Sequence, residues 1–181
     1  MPNINPINLA QADTATAATP NAVKASLGVI PNMFLTLAHS PVALNGYMQL
    51  SGITGKGTFS AKLREQIALA VGEKNSCEYC VTAHSVIGGM VGLNASEIAA
   101  ARHAKSSNAR EMAILSLASL IAEQRGHLSA AEISGYKAEG LSDADILEVL
   151  TNVVLNILTN YTNHIAATDI DFPRVEWKKA A

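Results

Sequence analysis

Two cysteines and a histidine follow one another at helical spacing in the middle of the chain. Cys77 and Cys80 are the only cysteines, and His84 comes four residues after the second. On a helix that begins near Cys77, residues three and four apart share a face, so two thiols and an imidazole form one stripe. The thiolate is the reactive form of cysteine, and a neighbouring base helps to form it near neutral pH. The spacing therefore predicts redox chemistry at a thiol pair.

Each member of the stripe has a predicted role. His84 lies one turn from Cys80 and can take its proton. Cys77 can then attack an oxidised sulfur on Cys80 and close a disulfide. The helix dipole favours the opposite assignment, because Cys77 is nearer to the positive N-terminus. We give more weight to the specific base and predict that Cys80 is the attacking thiol.

Two further side chains are candidates for the same site. Glu65 precedes Cys77 by twelve residues, on the preceding predicted helix. A carboxylate that reaches His84 would fix its tautomer and support a charged imidazolium. Tyr79, between the cysteines, carries a hydroxyl that can donate and accept, although it is equally consistent with a packing aromatic.

Metal binding and simple packing are the alternative interpretations of the cysteine pair. A structural zinc site needs four ligands, and the pair with His84 supplies only three, so no metal site is predicted. Two small buried residues are the other alternative. The sequence has no glycine-rich nucleotide-binding loop, so we predict no bound cofactor and expect electrons to arrive by thiol exchange.

The elements that must position these residues are predicted to be helices, and the fold class is all-α. No segment shows a convincing run of alternating β-branched residues. Ser60, Ser129 and Ser142 are expected N-caps, and either Asn94 or Ser96 is expected to cap a further helix. Helices are predicted over about 20–27, 32–39, 41–54, 60–74, 77–91, 95–104, 107–125, 129–139 and 142–167, with Pro41 at a first helical position and Gly126 and Gly140 at C-termini.

Length and composition limit the domain count and the partners. The 181 residues fit a single domain, which we divide into an N-terminal arm (1–19) and a helical domain (20–181). The net charge of −2 and a pI near 6.2 argue against nucleic-acid binding. Charged residues make up 15% of the chain, against about 25% in an ordinary domain. The low charge predicts that part of the surface is buried in a homo-oligomer.

Membrane insertion and export are not expected. Residues 149–163, an uncharged stretch of the body, carry four asparagines, too many for a spanning helix. These are Asn152, Asn156, Asn160 and Asn163, and their spacing predicts buried amide hydrogen bonds or a subunit contact. The first 20 residues lack the charge and the apolar core of a signal peptide, so a cytoplasmic location is expected.

The pattern Glu65-x₁₁-Cys77-x-Tyr79-Cys80-x₃-His84 resembles the core motif of the AhpD-like superfamily, which contains alkylhydroperoxidases and carboxymuconolactone decarboxylases. The similarity is greatest to its peroxidase-related branch. It extends over roughly residues 20–175 and includes the segments 27–34, 37–41, 160–164 and 169–173.

This resemblance implies an all-helical AhpD-like fold assembled as a trimer or hexamer. It implies a thiol-dependent hydroperoxidase or disulfide reductase in which Cys80 attacks the hydroperoxide and Cys77 resolves it. His84 would be the base, Glu65 the end of the proton relay, and a lipoyl or thioredoxin-like carrier the electron donor. The type member has histidine where this chain has Tyr79, whose phenol, with a pKa near 10, shuttles protons less readily.

Two other functions are weighed against this one. Decarboxylase members of the superfamily lack the cysteine pair, so a carboxymuconolactone decarboxylase-like activity is disfavoured. A non-enzymatic redox sensor or assembly protein could use the same thiols as a switch, and turnover of hydroperoxide with a dithiol donor distinguishes it from an enzyme.

Overall fold

The described part of the chain folds into α-helices. The computed structural model of the protein describes residues 1–10, 23–24 and 29–176. Within these residues eight α-helices are complete and no strand is present, which confirms the predicted all-α fold. The helices are α1 (Asn32–Leu37), α2 (Pro41–Thr54), α3 (Ala61–Lys74), α4 (Glu78–Met90), α5 (Ala95–Arg102), α6 (Ala109–Gln124), α7 (Ala130–Ala138) and α8 (Asp143–Ala166).

The helix starts follow the predicted capping residues. Ser60, Ser129 and Ser142 each accept a hydrogen bond from the backbone N–H three residues on, and so satisfy one of the free amides of the first turn. Asn94, rather than Ser96, caps α5. Because these signals are local, the eight predicted helices agree with the observed bounds to within two residues. The predicted helix over 20–27 falls largely outside the described residues.

One predicted helix end is corrected. Gly140 has a φ of 93° and follows α7 as expected. After α6, however, the left-handed position is taken first by Arg125, with a φ of 55°, and Gly126 follows it with a φ of 79°. The N–H of Gly126 closes the end by donating to the carbonyl of Ile121 at 3.0 Å.

The central helix of the fold is α3. It packs against α4, α5, α6 and α8, and residues 66–72 are buried on every side. This segment contains no charged residue, and Ile67, Leu69 and Val71 are fully buried. A helix that is apolar all round can be stable only if neighbours cover all of its faces. Glu65, just before this segment, is therefore held by a helix that its neighbours enclose.

Two apolar clusters fill the interior. The larger cluster lies between α3, α6 and α8, with fully buried side chains such as Ile114, Leu115 and Val149. The second cluster surrounds the two cysteines and includes residues of α1, α2 and α4, namely Met33, Phe34, Leu37, Leu44, Tyr79 and Ala83. The thiol pair thus lies inside a packed core.

The longest helix, α8, has different chemistry on its two sides. It has 24 residues, a length of about 36 Å. Its asparagine stripe faces inwards: Asn160 accepts a hydrogen bond from the side-chain amide of Asn75 at 2.8 Å, and Asn156 donates to the carbonyl of Asn152 at 2.9 Å. Buried amide hydrogen bonds, one of the two predicted roles, are therefore present. The outer face is apolar and exposed, with Leu147, Leu150, Val154, Leu158, Tyr161 and Ile165.

The first ten residues lie against the far end of α8. The N–H of Asn3 donates to the carbonyl of Ala166 at 2.7 Å, and the His39 ring nitrogen Nε2 lies 2.8 Å from the carbonyl oxygen of Asn5. The predicted boundary between residues 19 and 20 lies outside the described residues and stays a prediction. No described helix is both long and apolar enough to cross a membrane.

Candidate active site

The turn between α3 and α4 determines where the thiols lie. The N–H of Cys77 donates to the carbonyl of Gly72 at 2.8 Å, and the N–H of Ser76 donates to that of Glu73 at 3.0 Å. These two bonds, with Ser76 in the left-handed region at φ 55°, form a Schellman motif. The same residue, Cys77, is the N-cap of α4. One tight turn therefore ends α3 and begins the helix that carries the motif.

Cys77 lies just outside the helix, which corrects the prediction that all three residues of the stripe are helical. Its backbone is extended, with φ −95° and ψ 90°, because the turn must reverse the chain at this residue. Its Sγ accepts a hydrogen bond from the N–H of Cys80 at 3.3 Å, in the way that serine caps a helix. Cys77 is therefore even closer to the positive end of the helix dipole than predicted.

Cys77 and Cys80 are joined in a disulfide, with their Cα atoms 5.3 Å apart. Cys80 is the third residue of α4, and its Sγ accepts a hydrogen bond from the side-chain amide of Asn163 on α8 at 3.3 Å. The two residues are only 1% and 3% exposed. Each sulfur thus has one N–H donor beside it, which is the arrangement that stabilises a thiolate once the disulfide opens.

His84 and Glu65 are brought together by the packing of α4 on α3. The Nδ1 atom of His84 lies 2.7 Å from Oε2 of Glu65, and the two side chains are 22% and 18% exposed. Because an ionised carboxylate only accepts hydrogen bonds, Nδ1 carries the proton and Nε2 is the nitrogen left for exchange. His84 follows Cys80 by four residues on α4, and both line one cavity. The geometry is that of a base oriented by a carboxylate.

The contacts of Tyr79 hold its side chain in place. Its hydroxyl donates to Oδ1 of Asp171 at 2.8 Å and accepts from the N–H of Met33 at 3.3 Å. The ring also contacts Phe172 edge-on, with centroids 5.9 Å apart. Burial and the neighbouring Asp171 carboxylate raise the pKa of Tyr79 above its ordinary value. A hydroxyl so engaged is poorly suited to shuttling protons.

Above Cys80 is a cavity of about 340 Å³. Cys80, His84, Glu65 and Asn163 supply its polar wall. The rest is largely apolar, with side chains from α1, α2, α4 and the C-terminal segment: Met33, Phe34, Met48, Ile87 and Phe172. Such a cavity suits a small organic molecule with one polar group at the sulfur.

Several residues of the site were not predicted. Tyr47 lines the cavity from α2, and burial, with the charge of Glu65 adding to it, raises the pKa of Tyr47 to about 12. Asp171 holds Tyr79 and also accepts from the N–H of Asn32 at 2.7 Å. In the sequence, Asn163 was identified only as a member of the asparagine stripe. Nothing in the sequence near these residues indicates which distant helix they reach.

Metal binding finds no support in the described residues. They contain no group of three or more His, Cys, Asp or Glu side chains arranged to hold a metal ion. His39, His103, His127 and His164 do not line the 340 Å³ cavity above Cys80.

The fold is shared with solved proteins. An uncharacterised peroxidase-related protein from Ralstonia eutropha JMP134 with an alkylhydroperoxidase AhpD core superposes with a TM-score of 0.83 at 21% identity, over 94% of this chain and 92% of that one. The debrominase Bmp8, in complex with 2,3,4-tribromopyrrole, gives 0.79 at 20% identity over 93% and 91%. An uncharacterised peroxidase-related protein from Silicibacter sp. TM1040 gives 0.78 at 20% identity over 92% of each chain. At these identities the likeness establishes the fold.

The sequence adds a partial family match. No curated protein is significantly similar to this chain. Residues 41–109, which contain Glu65, both cysteines and His84, match the carboxymuconolactone decarboxylase family. Over residues 41–109 the chain is thus similar to that family, and over 94% of its length it shares the fold of a protein with an AhpD core.

Proposed function

We propose that the protein is a thiol-dependent hydroperoxidase that cycles between the dithiol and disulfide forms of Cys77 and Cys80. The observation that carries the proposal is the disulfide itself, with Cys80 on the wall of an apolar cavity that also holds the hydrogen-bonded His84–Glu65 pair. The shared fold and the match of residues 41–109 to the carboxymuconolactone decarboxylase family support the proposal, because the AhpD-like superfamily that they resemble includes enzymes with this kind of chemistry.

The proposed cycle has three steps. The Cys80 thiolate attacks the terminal oxygen of an organic hydroperoxide, forming a sulfenic acid and releasing an alkoxide that takes a proton to become an alcohol. The Cys77 thiolate then attacks the Cys80 sulfur, forming the disulfide and releasing hydroxide, which is protonated to water. A dithiol carrier of lipoyl or thioredoxin type returns two electrons and two protons. A reducing compartment such as the cytoplasm would supply that carrier.

His84 and Glu65 manage the protons of this cycle. Nε2 of His84 accepts the thiol proton of Cys80, and Glu65, at 2.7 Å from Nδ1, stabilises the resulting imidazolium. The proton then returns to the departing alkoxide or hydroxide. Tyr79 takes no part in this transfer, because its hydroxyl is bound to Asp171 and Met33. Its proposed role is to hold the wall of the cavity.

A halogenated aromatic compound is the second candidate oxidant. The apolar cavity has aromatic side chains on several sides (Phe34, Tyr47, Tyr79 and Phe172), and a debrominase is among the proteins of similar fold. In that reaction two thiols would deliver two electrons, converting a carbon–bromine bond to carbon–hydrogen and releasing bromide and a proton. Bromide release from 2,3,4-tribromopyrrole, measured beside hydroperoxide consumption, decides between the two.

The cysteines should differ sharply when each is replaced by serine. Cys80→Ser should abolish hydroperoxide consumption, since the attacking sulfur is lost. Cys77→Ser should consume one equivalent and stop at a sulfenic acid on Cys80, detected by dimedone labelling and mass spectrometry. If Cys77→Ser is the variant without the first reaction, the position of Cys77 at the helix N-terminus outweighs the histidine and the assignment is reversed.

The proton relay predicts a graded effect of two substitutions on Cys80. In the Cys77→Ser background, His84→Ala should move the pH midpoint of Cys80 alkylation upwards, because the thiol then lacks its base. Glu65→Gln should move it less in the same direction. Loss of a general base should also slow hydroperoxide reduction by about 10² to 10⁴. The exposed His127 provides the control, as His127→Ala should change neither quantity. Identical alkylation profiles with and without His84 would remove it from the mechanism.

We also propose that the protein assembles as a trimer or hexamer through the outer face of α8. Six large apolar side chains lie there at intervals of three or four residues, and they are 37% to 66% exposed. So long an apolar stripe is unusual on a monomer, and homo-oligomer contacts typically bury about 2,000 Å² or more.

Light scattering tests the assembly. The mass should be at least three times 19.0 kDa and unchanged on dilution in the micromolar range, since obligate contacts of this kind do not dissociate there. Val154→Glu, in the middle of the stripe, should lower the mass, whereas Met90→Glu, at an exposed position outside it, should not. A stable wild-type monomer would contradict the proposal.

A further inference from the structure

The two cysteines of the disulfide line different cavities. Cys80 lines the 340 Å³ cavity described above, which we call the Cys80-side cavity. Cys77 lines another, of about 280 Å³, at the C-terminal end of α8, which we call the Cys77-side cavity. Its remaining walls come from the α3–α4 turn and from the end of α8 and the segment after it: Ser76, Glu78, His164, Ala167, Thr168 and Ile170.

A fixed partition separates these cavities. Tyr79 and Asn163 line both of them. Tyr79 is held by Asp171, and Asn163 by its hydrogen bond to the sulfur of Cys80. The C-terminal segment crosses the partition, with Ile170 on the Cys77 side and Phe172 on the Cys80 side. This partition gives a role to the hydrogen bond between Tyr79 and Asp171, which has no part in the proposed proton relay.

Because both cysteines are buried, we take the cavity that each one lines as the approach to its sulfur. Cys77 is 1% exposed and Cys80 is 3% exposed, so a reagent meets neither sulfur at an open surface. In thiol–disulfide exchange the incoming sulfur, the attacked sulfur and the departing sulfur form a mixed-disulfide intermediate, and access decides which sulfur is attacked. A thiol in the Cys77-side cavity therefore meets Cys77 first.

Two buried polar atoms of residues that line the Cys77-side cavity lack partners. Oδ1 of Asn163 and Oγ1 of Thr168 have no hydrogen-bond partner among the described residues. Thr168 lines this cavity only, whereas Asn163, which is 5% exposed, lines both cavities. Buried polar atoms are nearly always paired in folded proteins, so these two atoms are available to a group that donates hydrogen bonds.

We propose that the Cys77-side cavity admits the thiol reductant, and that the reductant attacks Cys77 while the oxidant reacts at Cys80 on the other side. The inference rests on the proposed redox cycle and specifies where its electron donor binds. A cavity of about 280 Å³ has room for a narrow aliphatic dithiol arm. The S–H or N–H groups of such an arm would donate to Asn163 and Thr168.

The exchange balances as a two-electron reduction. A donor thiolate attacks Sγ of Cys77, the Cys77–Cys80 bond breaks, and Cys80 departs as a thiolate beside the amide of Asn163. The second donor thiol then attacks the donor sulfur of the mixed disulfide, closing the oxidised donor and releasing the Cys77 thiolate. The two protons of the donor dithiol pass to the two cysteines. Cys80 is thus left reduced on the side where the oxidant arrives.

Trapping the mixed disulfide tests the proposal without any oxidant. The oxidised wild-type protein is mixed with excess 2-mercaptoethanol, quenched with N-ethylmaleimide, and mapped by fragment-ion mass spectrometry. We expect mercaptoethanol on Cys77 and maleimide on Cys80. The reverse pattern, or an equal mixture, would overturn the proposal. Because no hydroperoxide is present, this outcome is independent of whether the protein is a peroxidase, which is measured separately by oxidising the reduced protein.

Variants that fill one cavity should separate the two half-reactions. Ala167→Phe, at an exposed position on the Cys77-side cavity, should slow reduction of the disulfide by dithiothreitol about tenfold and leave oxidation by cumene hydroperoxide at the wild-type rate. Ile87→Phe, on the Cys80-side cavity, should do the reverse. Arg125→Phe places the same side chain at another left-handed, exposed helix end and should change neither rate.

The controls make each outcome decisive. Unchanged reduction in Ala167→Phe, or equal slowing of both half-reactions in a variant with the wild-type mass and circular dichroism, would contradict a separate route for the reductant. If Ala167→Phe does not fold, Ile170→Trp fills the same cavity from the C-terminal segment and carries the same expectations. The trapping experiment needs no variant.

Discussion

The hydrogen-bonded turn between α3 and α4 is the constraint on which the site depends. Its two backbone bonds, Cys77 to Gly72 and Ser76 to Glu73, reverse the chain within a few residues and fold α4 back along α3. Residues 66–72 of α3 are buried on every side, and α4 is one of the helices that cover them. That packing places Cys77 at the N-terminus of α4 and His84 against Glu65, so a single local motif sets the spacing of thiols, base and carboxylate.

Burial also gives the two cysteines different surroundings. The second apolar cluster encloses the disulfide, and the partition of Tyr79, Asn163 and the C-terminal segment separates the surroundings of the two sulfurs. In this account the chemistry of each cysteine follows from what borders it. Cys80 has the imidazole, the amide of Asn163 and the apolar cavity, whereas Cys77 has the helix N-terminus and a smaller, more polar cavity. We propose that Tyr79, whose hydroxyl is bound to Asp171 and Met33, positions the wall of the cavity and transfers no proton.

The features that could be predicted from the sequence depend on residues close together in the chain. Helix ends were found because Ser60, Ser129 and Ser142 bond to amides three residues away, and the contact of His84 with Glu65 was anticipated from two adjacent helices and the motif. The contacts of Tyr79 with Asp171 and of Asn163 with Cys80 join residues 92 and 83 positions apart. No pattern near either residue specifies such a contact, because it is set by how α8 and the segment after it pack. The position of Cys77 outside the helix follows from the Schellman motif. This motif has Ser76 at its left-handed position, where a glycine would have indicated the turn in the sequence.

The most direct test of the central claim is the stoichiometry of the reduced protein with cumene hydroperoxide under anaerobic conditions. If Cys77 and Cys80 form a two-electron redox centre, one equivalent of hydroperoxide should remove both titratable thiols of the chain. The peptide containing both cysteines should then lose two hydrogens in mass. Retention of both thiols, or a sulfinic acid on Cys80 with Cys77 still reduced, would contradict the account.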